Sequence, residues 1–345
     1  MRKHFPSYYH LTDKEKQQLF KSKNCYFVFD TNALLDIYRL GKETAEKVLK
    51  LLEKLRRKII IPKHVAREYH DNMLGIITEI CSGYGTFLDD TSARAIMEQI
   101  MARFDIKNKP FIKHKMDKFI KPAIESFLND VRCEKEYMLN QFRTWGLQNK
   151  LSDLLGGMLL AGFTDKELAR MEKEGTARYA MGIPPGCEDK AKNSNKFGDF
   201  IIWKEILRFA KKKSCSIIFV SRDLKKDWLQ VLNGMTCGPR QELLDEFTQY
   251  SPNGSFHIYT LDQFIRFANE EDNVLSENDI SEVEEIVSTP VAEKSSMPAA
   301  KSVEPEKMGT PTDDKSSISK SANKVDEEST KSMRQQLKGG ATAPL

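Results

Sequence analysis

The chain has 345 residues, 40% of them hydrophobic, enough for one large domain or two small ones. Its net charge of +4 hides an asymmetry: residues 271–345 carry 9 Lys+Arg against 15 Asp+Glu, which leaves 45 against 35, a net of +10, on residues 1–270. No apolar run reaches the roughly 18 residues of a membrane helix, and Met1-Arg2-Lys3-His4-Phe5-Pro6 has no apolar core behind its charges, so neither a span nor a secretory signal is expected.

Tyr26-Phe27-Val28-Phe29 reads as a buried strand with Cys25, followed by Asp30-Thr31-Asn32 and an amphipathic stretch to Leu40. Residues 43–57 have helical periodicity, and Lys58–Ile61 is a second strand stopped by Pro62. That proline suits the first turn of a helix over Lys63–Met73. Strand–helix alternation predicts a parallel sheet with helices on its faces. From about 74 to 180 the strand signal vanishes, and 85–104, 112–145 and 164–178 carry helical spacing. Thr164 with Glu167 forms a capping-box pattern. This block reads as a helical insertion or cap, with a break at Gly156-Gly157.

The α/β pattern resumes with a strong amphipathic helix over Phe197–Ala210 and a strand over Ser216–Val220. A helix from Leu224 would put Asp223 and Asp227 on one face. A last strand covers Phe256–Tyr259, and a short helix runs to about Ala268. Residues 271–345 lack Phe, Trp and Tyr and are rich in Ser, Lys, Glu, Pro and Thr, so they read as a disordered tail. The expected organisation is an α/β domain over 1–270, with the insertion at about 74–180, and the tail over 271–345.

Four acids fall at helix starts or strand ends. Asp30 ends the first strand, where open α/β sheets place ligands. A helix cap is the competing reading, and it suits Asn32 better than Asp30. Glu68 lies beside the inner stripe Val65–Tyr69, against the reading of an ordinary surface Glu. Asp199 opens the strongest helix, where a cap or dipole partner would also serve. Asp223 follows the Val220 strand, against the reading of surface ion pairs with Arg222, Lys225 and Lys226. Oxygen donors in this order suit Mg²⁺ or Mn²⁺.

Further motifs accompany the acids. Arg178-Tyr179, Ile183-Pro184-Pro185-Gly186-Cys187-Glu188-Asp189-Lys190, Gly198-Asp199-Phe200-Ile201-Ile202-Trp203 and Asp223-Leu224-Lys225-Lys226-Asp227-Trp228 resemble a bacterial subfamily of PIN-like (PilT N-terminal-type) nucleases. The similarity covers about residues 20–265. It implies a three-layer α/β sandwich around a mainly parallel sheet. It implies metal-binding, catalytic roles for Asp30, Glu68, Asp199 and Asp223, with Asp227 as a fifth acid or a group behind the metal ligands. Asn32 would orient Asp30 or a water. Asp189 and Lys192 would line the pocket mouth, Lys192 as a point charge for phosphate. Trp203 and Trp228 read as core anchors rather than stacking platforms.

Other chemistries fit less well. A haloacid-dehalogenase-type phosphatase would want a second Asp where Asn32 stands. No phosphate-cradling glycine motif or zinc spacing is present. His64 and His70 read as surface or helix-edge residues. The six cysteines form no CxxC pair and read as free thiols, with a cytoplasmic location expected. The expected function is metal-dependent phosphodiester hydrolysis by an activated water, on RNA in preference to DNA. A basic body is compatible with nucleic acid. A toxin or phage-defence effector, restrained by a regulatory protein partner, is one setting for it. The alternative is a catalytically silent PIN fold that binds RNA or protein.

Overall fold

Short apolar runs build the centre of the fold. Cys25–Phe29 (β1) pairs in parallel with Ile59–Ile60 (β2) on one side and Ser216–Val220 (β3) on the other, and β3 pairs in parallel with Phe256–Tyr259 (β6). The order is β2-β1-β3-β6. The computed structural model describes residues 11–88, 90–192, 195–222, 225–270 and 273–289. Before β1 lies α1 (Asp13–Lys21), closed by a Thr12/Glu15 capping box. Between β1 and β2 lie α2 (Thr31–Asp36) and α3 (Lys42–Leu55).

β1 is hydrophobic on both faces because helices cover both. On one face Phe27 and Phe29 meet Phe264 of α12 (Leu261–Asn269) at 5.1 Å, and Phe20 stacks behind Phe27. On the other, Trp203 of α10 (Gly198–Lys213) sits 4.9 Å from Phe256, edge to face. Phe247 of α11 (Gln241–Tyr250) closes on the same ring. This is the expected sandwich, with Trp203 and Trp228 both buried as core anchors, 6.0 Å apart.

Three local expectations need correction. The helix expected over Lys63–Met73 runs from Lys63 to Leu88 (α4), because Met73, Ile76 and Ile77 continue its buried stripe and no proline stops it. Beyond it the insertion is helical as expected: α5 (Asp90–Arg103), α6 (Pro110–Lys115), a π-helical turn at Met116–Ile120, α7 (Lys121–Thr144), α8 (Gly146–Leu155) and α9 (Asp165–Ala180), with the Thr164/Glu167 capping box formed.

Among the described residues, no helix lies between β3 and the next strand, where one was expected from Leu224. Residues 225–228 turn into an antiparallel hairpin, β4 (Leu229–Leu232) and β5 (Met235–Pro239). Its tip is Asn233-Gly234, both at positive φ, the dipeptide that two-residue hairpin loops favour. At the sheet edge, Ile61 forms a parallel bridge with Leu159, just after the Gly156–Met158 turn.

The start of the expected tail is ordered. Glu277–Ser288 forms α13, capped by Ser276 and Asp279, and Ile280 and Val283 are buried. The segment lacks aromatics; Leu275, Ile280 and Val283 join the core, and polar bonds tie it to α3. Glu282 accepts from Gly41 N at 2.5 Å and Thr44 Oγ1 at 2.6 Å, and Asp279 accepts from Lys47 Nζ at 2.8 Å. Burial works to raise the Asp279 pKa, but the Lys47, Ser276 and Thr44 bonds outweigh it and hold the carboxyl at about 2.

The unfolded value is about 3.9. This contribution is therefore complete above about pH 4 and is lost as pH falls through about 2. Lys47→Met is expected to remove about 1 kcal/mol of stability at pH 7. The deficit should shrink between pH 4 and pH 2 in urea titrations; an equal deficit at pH 7 and pH 2 would contradict it. The rest of the expected tail, from 290 on, lies outside the described residues.

Candidate active site

The sheet reverses direction of growth at β1 and β3: the chain goes from β1 outward to β2, and from β3 outward to β6. The crevice past the carboxyl ends of such a strand pair is where open α/β sheets hold ligands. Asp30 N donates to Val220 O at 2.9 Å, so the two strand ends are fastened together there. Asp30 also takes the cap position of α2, which corrects the expectation that Asn32 is the better cap. The strand must turn at once into a helix, and the cap falls on its last extended residue.

Asp30 is 8% exposed. Its Oδ1 accepts from Thr31 N at 2.8 Å and its Oδ2 from Ser221 Oγ at 2.7 Å. Thr31 Oγ1 donates to Glu68 Oε2 at 2.7 Å, joining the first two acids through one hydroxyl. Asn32, expected to orient Asp30, is half-buried, and it is its neighbour Thr31 that bonds Glu68.

Glu68 Oε1 accepts from Asn195 Nδ2 and lies 3.5 Å from His64 Nε2, which is itself 2.9 Å from Asn195 Oδ1. His64 is therefore a site residue, not the bland helix-edge group expected. One turn of helix separates it from Glu68, and its side chain is only 12% exposed. Burial works to raise the Glu68 pKa, but the bonds from His64, Thr31 and Asn195 lower it overall. Burial works to lower that of His64, and Glu68 turns the balance upward.

The helix carrying both is anchored from a distance. The buried Glu205 of α10 faces the backbone amides of Lys63 and His64 at the open start of α4; burial raises its pKa, and those amides lower it.

A second acidic group surrounds the turn at Pro184-Pro185-Gly186. Lys225 Nζ lies 3.3 Å from Asp189 Oδ2 and 3.5 Å from Asp199 Oδ2, so one ammonium bridges the two carboxylates. Lys192, 52% exposed, bonds Asp189 at 2.6 Å. Asp227 is buried and accepts from Gly186 N at 2.7 Å. Its other oxygen, Oδ1, has no hydrogen-bond partner among the described residues, and burial raises its pKa. Burial raises the Tyr179 pKa, and the charges of Asp199, Asp189 and Asp227 push it the same way; its hydroxyl donates to Lys196 O at 3.2 Å.

Arg178 fixes the turn from behind, donating to Pro184 O at 2.5 Å and to both oxygens of Glu246, which also accepts from Trp203 Nε1 at 2.9 Å. The two acidic groups meet through Asn195, whose carbonyl accepts from Gly198 N at 3.2 Å, next to Asp199.

Asp30 and Glu68 are thus brought together, as are Asp189, Asp199 and Lys192. Asp227 stands behind the turn, not on the helix face expected for it. Asp223 lies outside the described residues. Sequence reasoning missed Thr31, Ser221, His64, Asn195, Lys225 and Glu205.

The donor chemistry fits an oxygen-preferring cation: carboxylates, two of them bridged by a lysine, and a buried carboxylate oxygen without a donor. Among the described residues, no three His, Cys, Asp or Glu side chains stand close enough to hold a metal ion. His64 and Lys225 supply the positive charge in this arrangement.

A parallel sheet with acids at its switch point defines a class of α/β domains built for a site in that crevice. The family described as PIN like domain matches residues 26–243, and the chain belongs to it. Members of that family are generally nucleases, act on nucleic acid and typically use divalent metals. No curated protein and no solved structure matches. No helix among the described residues is long and apolar enough to cross a membrane.

Proposed function

We propose that the chain is a metal-dependent nuclease that hydrolyses phosphodiester bonds, with RNA preferred over DNA. The observation that supports this most is the Asp30–Thr31–Glu68 link at the sheet's switch point, with Asp199 reached through Asn195, in a PIN-like chain. Asp30, Glu68 and Asp199 would hold Mg²⁺ or Mn²⁺, with Asp223 as the fourth acid. Such an ion supplies charge neutralisation at the scissile phosphate and a lower pKa for the attacking water.

The chain's own residues set the stage. Ser221 and the Thr31 amide fix the Asp30 carboxylate, and Thr31 Oγ1 fixes Glu68. On metal binding, Lys225 would release Asp199 and turn toward phosphate. Lys192 offers an exposed point charge at the mouth. Asp227 serves the Gly186 turn rather than the ion.

The test is cleavage of labelled single-stranded RNA with Mn²⁺. Cleavage should vanish with chelator and return when Mn²⁺ is restored; cleavage that persists in chelator contradicts the metal's role. A second reading, a silent fold that binds RNA or protein, is favoured by His64 and Lys225 already engaging the carboxylates. RNA binding without cleavage at any Mn²⁺ concentration would establish it. The proposed setting as a toxin or defence effector rests on resemblance and is decided by gene neighbourhood.

A further inference from the structure

The acids explain nothing about the far end of the insertion. Between Arg103 and Lys121 the chain carries seven cations (Arg103, Lys107, Lys109, Lys113, Lys115, Lys118 and Lys121) against two acids, Asp105 and Asp117, and all seven are exposed. Among them stand three exposed rings: Phe104 at 59%, Phe111 at 74% and Phe119 at 53%. A soluble chain gains nothing by leaving such rings in water, so the patch calls for an occupant.

We infer that α6, the π-helical turn and the start of α7 form a platform that holds single-stranded RNA away from the acids. Charge complementarity identifies the occupant. Lys115 Nζ lies 5.7 Å from the centre of the Phe111 ring and 5.3 Å from that of Phe119, and Lys118 lies 5.4 Å from Phe119. Cations and rings therefore share one face. A helix that inserts into a lipid surface separates them onto opposite faces. Interleaved rings and cations instead match a polymer that alternates bases and phosphates, which stacks on aromatics and pairs with lysines.

The stripe continues to the exposed Phe127, which pairs edge to face with Phe87 at 5.7 Å. Phe87 ends α4, the helix that carries Glu68 near its start. At a rise of 1.5 Å per residue, Phe87, where the stripe reaches α4, stands roughly 28 Å from Glu68 along that helix. A strand must be several nucleotides long to touch both.

The inference rests on the nuclease reading for its choice of RNA, so the experiment separates the two. Full-length Asp30→Asn chain, unable to cut, is titrated into labelled 30-nucleotide and 6-nucleotide single-stranded RNA. Phe111→Ala with Phe119→Ala should weaken binding of the 30-mer about tenfold. Lys115→Gln with Lys118→Gln should flatten the salt dependence of 30-mer binding by one to two units of slope, roughly 0.7 per phosphate contact. In the otherwise wild-type chain, with Asp30 intact, neither pair should alter Mn²⁺-dependent cleavage of the 6-mer.

Unchanged 30-mer affinity in both pairs overturns the platform even if the chain cuts RNA. Loss of binding to phosphatidylserine vesicles, or of self-association, with RNA binding intact, also overturns it in favour of a membrane or a second copy. A 30-mer bound through the platform but never cut upholds it and defeats the nuclease reading.

Discussion

Asp30→Asn is expected to lower Mn²⁺-dependent RNA cleavage by more than roughly 100-fold, beyond the 10–100-fold loss typical of groups that only support a metal ligand. Asparagine is as good a helix cap as aspartate, and its side-chain oxygen still accepts from Thr31 N or Ser221 Oγ. The substitution removes the charge and keeps the turn from β1 into α2. Stability in urea should therefore change by less than about 1 kcal/mol. Thr31→Val should lie between the variant and the wild type, at roughly 10–100-fold, because it cuts the link to Glu68 and leaves both carboxylates in place. Full cleavage by Asp30→Asn would remove Asp30 from the site.

Gly186→Ala is expected to damage both fold and site. Gly186 sits at φ +87°, where an L side chain is strained by about 1–2 kcal/mol. A Cβ there would land on the Tyr179 hydroxyl and stand 3.3 Å from Asp199 Cβ. Overpacking of this kind adds about 1–3 kcal/mol. Together they predict a loss of about 2–5 kcal/mol in urea unfolding. The Gly186 amide also holds Asp227, so the whole Pro184–Asp189 turn shifts with it. Cleavage by the fraction that remains folded should fall as Asp199 is displaced. A variant as stable and as active as wild type would show that the turn is looser than this packing requires.

The centre of this fold was legible because its strands must be buried on both faces. Phe27-Val28-Phe29 and Ile217-Ile218-Phe219-Val220 leave no other reading, and the acids after them follow from strand ends. The hairpin was missed because Gln230, Val231 and Leu232 are exposed and impose no apolar pattern; only Asn233-Gly234 marked it. Helix α13 was missed because Asp279 and Glu282, which in sequence look like a solvated acidic run, are what bind it to Lys47, Gly41 and Thr44.

At the site, His64 and Glu68 are one turn apart and could have been paired from sequence. Asn195 lies 127 residues from Glu68, and Glu205 serves a helix start 142 positions earlier. Only the packing of α10 against α4 brings those together.

The central claim is that these carboxylates share a metal ion, and a Mn²⁺-soaked crystal tests it most directly. Anomalous density is expected among Asp30, Glu68, Asp199 and Asp223, with Lys225 withdrawn from Asp199. Anomalous density elsewhere and none among these four, with Lys225 still bridging Asp189 and Asp199, would contradict it.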